Sequence, residues 1–132
     1  HEQTPMRRHA AATRARRAEI LELSLNMIAA ARLLLRDVNI AATTALQAMD
    51  PVGRELGLQF GANVIMPQVT PVRVRREYQL YEGKPFLDED PRHCMESLRA
   101  SIRAIGREAC LNDWGDSPHA LRRRAGGPAT RE

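Results

Sequence analysis

Aromatic residues are scarce, making up 4% of this 132-residue sequence. That argues against the stacked-ring platforms that hold single-stranded nucleic acid. Lysine is scarcer still: Lys84 stands alone among 20 basic residues. So strong a bias to arginine reads as coding bias, not as selection for phosphate contacts. The net charge is +4, but the basic excess is confined to Arg7 to Arg17 and Arg122 to Arg124, with acidic residues mixed through the middle. Nucleic acid is therefore not an expected partner.

Cysteine is limited to Cys94 and Cys110, too few for a disulfide framework or a zinc site. A reducing, cytoplasmic setting fits that usage. His93 and Cys94 are neighbours and diverge by about 100° on a helix, so they do not converge on one metal. No apolar run reaches the roughly 20 residues of a membrane helix, and no charged-then-apolar leader is present, so no membrane is expected. The sequence also has no glycine-rich phosphate loop, nucleophile elbow, HExxH or spaced carboxylate pair. No catalytic residue can be named.

What is there is an alternation of helical and strand patterns. Ile20, Leu21, Leu25, Ile28 and Leu35 recur at three- and four-residue spacings and predict a helix over 14–36, closed by Arg32, Arg36 and Asp37. Val38 to Ala42 is a short, wholly apolar run that predicts a buried strand ending in Thr43-Thr44. Asp50-Pro51 predicts the start of a helix to Phe60, with Gly61 as a left-handed stop. Ala62 to Met66 predicts a second strand, ended by Pro67. Thr70-Pro71 opens a short helix through Arg76 or Glu77. A turn at Glu82-Gly83 and the acidic run Asp88 to Asp90 precede a last helix, Pro91 to Arg107, burying Met95, Leu98, Ile102 and Ile105. From residue 117 the composition predicts a disordered tail.

The order helix, strand, helix, strand, short helix, helix implies an α/β fold with parallel βαβ units. Strands 38–44 and 62–66 should lie side by side. Two strands that are apolar on both faces need neighbours that this sequence does not supply. Residues 1–116 therefore read as a piece of a larger parallel α/β protein. In parallel barrels, functional residues sit at the C-terminal ends of the strands. That rule selects Thr43 and Thr44 after the first strand and Met66, Pro67 and Gln68 after the second. Each has a plainer reading: threonine favours strands, and methionine fills gaps in cores. Tyr78 and Tyr81 either close over a pocket mouth or anchor a loop.

The stretch from Leu33 to Leu46, LLLRDVNIAATTAL, carries a resemblance. It is followed by Asp50-Pro51-Val52-Gly53-Arg54-Glu55, Gly61-Ala62-Asn63-Val64-Ile65-Met66-Pro67, Thr70-Pro71, Tyr78 to Lys84 and Trp114-Gly115-Asp116. Together these resemble the C-terminal third of the HydE family, the radical SAM maturases of [FeFe]-hydrogenase, over residues 19 to 117. Biotin synthase is similar at Gly61-Ala62-Asn63 but carries an arginine where Thr43-Thr44 stand. Methylornithine synthase is a further relative.

The resemblance implies the C-terminal portion of a (β/α)8 TIM-type barrel. It implies S-adenosylmethionine and a 4Fe-4S cluster in the full-length enzyme, and partners in the missing N-terminal barrel half and the other hydrogenase maturation proteins. Carried over, Thr43, Thr44 and Met66 line the substrate cavity, with Tyr78 and Tyr81 near its mouth. The CxxxCxxC motif that holds the radical cluster is absent, so this segment alone is expected to be inactive. A second cluster found in some relatives would need cysteines where Phe86, Cys94 and Ser97 stand. Ala41 replaces a usual proline, and the arginine-rich segment 7–17 looks like an insertion. The alternatives are a partial barrel of a biotin synthase-like or methylornithine synthase-like enzyme, or a free-standing non-catalytic half-barrel.

Overall fold

A computed structural model describes residues 14–67, 70–75, 77 and 91–126. Its elements are α1 (Arg14–Leu34), β1 (Ala41–Ala42), α2 (Thr44–Met49), α3 (Gly53–Gln59), β2 (Val64–Ile65), α4 (Val72–Arg75), α5 (Pro91–Ala104) and α6 (Pro118–Ala125). The strands pair in parallel, Ala41 with Val64 and Ala42 with Ile65. The chain is thus a mixed helix and strand arrangement around a small parallel sheet, as the alternating pattern predicts.

The ladder is shorter than the apolar runs that announce it. Only two residues of each strand qualify, extended by Asn63 N and Val64 N, which both donate to Ile40 O at 2.9 and 3.1 Å. Along the pair, side chains alternate between faces. Ala42 is buried in the core with Leu58, Ala62, Leu98 and Ile102, and Ile40 and Ile65 pack against the same cluster. Ala41 and Val64 fall on the opposite face and are half-buried. The core therefore lies on one side of the sheet, under α3 and α5.

Helical spacing accounts for the walls of that core. On α5, Cys94, Leu98 and Ile102 are buried at four-residue intervals, the period that stacks side chains on one face. On α1, Leu25 is buried and Ile28 packs on the core. Its other side carries a second apolar stripe of Ile20, Leu23, Met27 and Leu34, all exposed. At about 100° per residue these sit opposite Leu25. Large aliphatic side chains are each worth about 1.5–3 kcal/mol when fully buried. Leu25, Leu46, Leu58, Leu98 and Ile102 supply most of what the described core has.

Between the strands the structure departs from the sequence reading. Asp50-Pro51 does not open a helix. Residues 44–49 already form α2, and Asp50 closes it, its N–H donating to Leu46 O at 3.0 Å. The Asp50 carboxylate accepts from Val52 N at 2.9 Å, a local turn that competes with helix capping. The next helix begins at Gly53. Here glycine is required by space: a Cβ at this position would lie 2.1 Å from Leu46 O. Two short helices thus pack closely where one longer helix is predicted.

The tail also differs. Residues 118–125 form α6, where composition predicts disorder. Ser117 caps it by accepting from Ala120 N at 3.2 Å, and Pro118 occupies its first turn. This is the same hydroxyl-then-proline start that announces α4. No residue of α6 is buried. Farther back, Arg75 on α4 is fully buried and its Nε donates to Thr70 O at 2.6 Å. Gln68, Tyr78, Tyr81, the Glu82-Gly83 turn, Phe86, the acidic run 88–90 and most of segment 7–17 lie outside the described residues.

Candidate functional site

The C-terminal ends of β1 and β2 lie together because the pair is parallel and in register. With Ala42 opposite Ile65, the next residues, Thr43 and Met66, follow side by side. Alternation turns both away from the core face that Ala42 and Ile65 occupy. Their exposure agrees: Thr43 is exposed and Met66 is 62% exposed. Thr43 has extended backbone and heads α2, yet its side chain makes no capping hydrogen bond. Its hydroxyl is not spent on the helix. Thr44 is the first residue of α2 and is half-buried.

The helices α2 and α3 also turn polar groups inward, which no sequence motif singles out. Arg54 is 3% exposed. Gln47 Oε1 and Glu55 Oε2 are buried without a hydrogen-bond partner among the described residues. A buried amide and carboxylate oxygen left unpaired are costly.

The N-terminal ends of the strands hold a network that joins residues of three motifs of the sequence, a pairing that their spacing does not reveal. Asn63 Oδ1 accepts from Ile40 N and from Arg32 Nη2, each at 2.9 Å. Asn63 Nδ2 donates to Asn39 Oδ1 at 3.0 Å, and Asn39 Nδ2 donates to Gly115 O at 2.7 Å. Arg32 also donates from Nε to Gly61 O at 2.8 Å, and from Nη1 to Val38 O and Arg36 O at 2.9 Å. One guanidinium thereby satisfies carbonyls released at the end of α1 and grips both strand entries. Gly61 has φ +117°, and a Cβ there would meet Arg32 Cβ at 2.8 Å. Gly61-Ala62-Asn63 is accordingly a structural lock: close approach, a buried small residue, and an amide that fixes register.

A cleft of about 530 Å³ opens beside β2. Asn63, Val64 and Ile65 line it together with Arg107, Cys110 and Asp116. Neither residue of β1 lines it, and Thr43, Thr44 and Met66 do not reach it. Among the described residues no group of three or more His, Cys, Asp or Glu comes close enough to hold a metal ion. Cys94 is buried and Cys110 exposed, both as free thiols. No described helix is long and apolar enough to cross a membrane.

No family model matches the sequence. A curated relative does: over 93 residues the chain is 46% identical to the [FeFe] hydrogenase maturase subunit HydE of Thermotoga maritima. The match takes in 70% of this chain and 26% of the relative. The resemblance carried by the motifs is thus a measured similarity, and the chain matches about a quarter of the length of the HydE maturase to which it is similar.

Proposed function

We propose that this chain is the C-terminal segment of a radical SAM enzyme that assembles the [FeFe]-hydrogenase active-site cluster. In this reading it contributes two strands and their helices to a (β/α)8 barrel. The observation that carries it is 46% identity over 93 residues to a HydE maturase. The parallel pair supports it, since a two-stranded parallel sheet with a core on one side needs further strands and a second covered face.

Thr43, Thr44 and Met66 line the substrate cavity at the C-terminal end of the strands, and Tyr78 and Tyr81 stand near its mouth. Thr43 offers a hydroxyl and Met66 a soft, flexible thioether on the face turned away from the helices.

S-adenosylmethionine and a 4Fe-4S cluster supply radical chemistry in such an enzyme. This chain's residues do not fit the cluster: two cysteines cannot provide its three thiolates, and no metal-holding group exists among the described residues. The cluster belongs to the N-terminal barrel half, which is the segment's first partner; the other hydrogenase maturation proteins are the next. The setting is the cytoplasm. Alone, the segment is inactive.

Reading the coding sequence upstream of His1 tests this. An in-frame half-barrel with CxxxCxxC is the expected result. A stop codon followed closely by a start codon would contradict it.

A further inference from the structure

The chain after α5 runs across the N-terminal ends of both strands. Arg107 Nη1 donates to Ala62 O at 3.3 Å, and Gly115 O accepts from Asn39 at 2.7 Å. α6 then lies against the end of α1, where His119 N donates to Asp37 O at 3.0 Å. The Asp37 carboxylate pairs with Arg122 and has His119 Nδ1 3.4 Å away; Asp116 pairs with Arg124.

What distinguishes α6 is the nature of this hold. α5 is anchored by three buried apolar side chains, Cys94, Leu98 and Ile102. α6 buries none, and its largest apolar residue, Leu121, is 52% exposed. The Asp116–Arg124 pair lies within residues 115–125, and the arginine pair that ties them to the rest of the chain, Arg122 with Asp37, leaves the Arg122 side chain 67% and the Asp37 side chain 24% exposed. Exposed pairs of this kind are weak and are screened by salt. A helix of eight residues is also too short to persist without its docking contacts.

We propose that residues 115–125 are a detachable strap, held across the N-terminal ends of the strands by charge rather than by burial. Gly115, Asp116 and Pro118 are among the residues that line the cleft beside β2, so release of the strap widens that cleft. Asp37 is the main anchor. It holds α6 through both its carboxylate and its carbonyl, and it stands in the turn three residues after the end of α1. The inference does not depend on the maturation reading, because it concerns only contacts within this chain.

Hydrogen–deuterium exchange of the full chain tests it, following peptides from α6 and α5 at about 20 mM and about 0.5 M NaCl, where the Debye length falls several-fold. Exchange in α6 should rise several-fold at high salt while α5 stays protected. Asp37→Asn should give the fast α6 exchange already at low salt. Asp37→Arg combined with Arg122→Asp, which restores a pair of reversed sign, should recover part of the protection. Unchanged α6 exchange at high salt and in Asp37→Asn would overturn the proposal. So would equal acceleration of α5, which would mean that the charges hold the whole fold. An α6 unprotected at low salt would overturn it too, since no docked strap would then exist.

Discussion

Arg32 Nε donates to the carbonyl of Gly61 at 2.8 Å, across a separation of 29 residues, and the two residues touch so closely that Gly61 has no room for a side chain. This contact joins the end of α1 to the turn before β2. Gly61→Ala would add both a clash with Arg32 and left-handed strain at φ +117°. The expected cost is about 2–4 kcal/mol, read by urea denaturation of the protein that carries this segment. A loss below about 0.5 kcal/mol would show that the turn relaxes without the lock.

Asn63 should behave as part of the same unit. Asn63→Ala removes the acceptor for Arg32 and Ile40 and the donor to Asn39, at an expected cost of about 1–3 kcal/mol. With Arg32→Met in the same protein the losses should fall short of additive by about 0.5–3 kcal/mol, as for groups sharing one network. Strict additivity in that double-mutant cycle would mean that the two residues act separately.

Much of this fold was legible because its signals are local. The spacing of Leu25 and Ile28 gave α1, and that of Leu98 and Ile102 gave α5; two apolar runs gave β1 and β2 and their parallel pairing. What was illegible was of two kinds. Asp50-Pro51 is chemically fit either to cap a helix or to make a turn, and close packing of Gly53 on Leu46 decides for the turn. The Asn39–Gly115 and Arg32–Asn63 bonds join residues 76 and 31 positions apart, and no periodicity reports such pairs. Ser117-Pro118 was a readable helix start, overridden by the arginine- and glycine-rich composition beyond it.

The two cysteines give a simple check on how α5 packs. Cys94 is 1% exposed in the core, whereas Cys110 is exposed. One thiol should react with a maleimide within minutes, and mapping should place the adduct on Cys110. The second should react only in denaturant. Two equally fast thiols would show that α5 is not docked as described.

The exposed stripe of Ile20, Leu23, Met27 and Leu34 on α1 and the open edges of a two-stranded sheet predict self-association of the chain on its own. Size-exclusion chromatography with light scattering should give a mass above 14.8 kDa. Met27→Glu with Leu34→Glu should lower it. A stable monomer would mean that these apolar groups need no cover.

At the proposed cavity, register favours Thr43 over Thr44 as the partner of Met66. Thr43→Val in the complete enzyme removes one hydroxyl while keeping shape, a loss of about 0.5–1.5 kcal/mol and so roughly two- to twelvefold in maturation rate. Thr44→Val should cost less activity, its side chain being at the start of α2. Stability should change by less than about 0.5 kcal/mol at Thr43. Equal activity of Thr43→Val and the parent would remove Thr43 from the site.

The most direct measurement joins this chain to the N-terminal part of the Thermotoga maritima HydE maturase, in place of the quarter it matches, and assays [FeFe]-hydrogenase maturation in cells lacking their own HydE. The account predicts active hydrogenase from the chimera, and none from either part alone. A chimera that is folded and carries its iron–sulfur cluster, yet matures no hydrogenase, would contradict it.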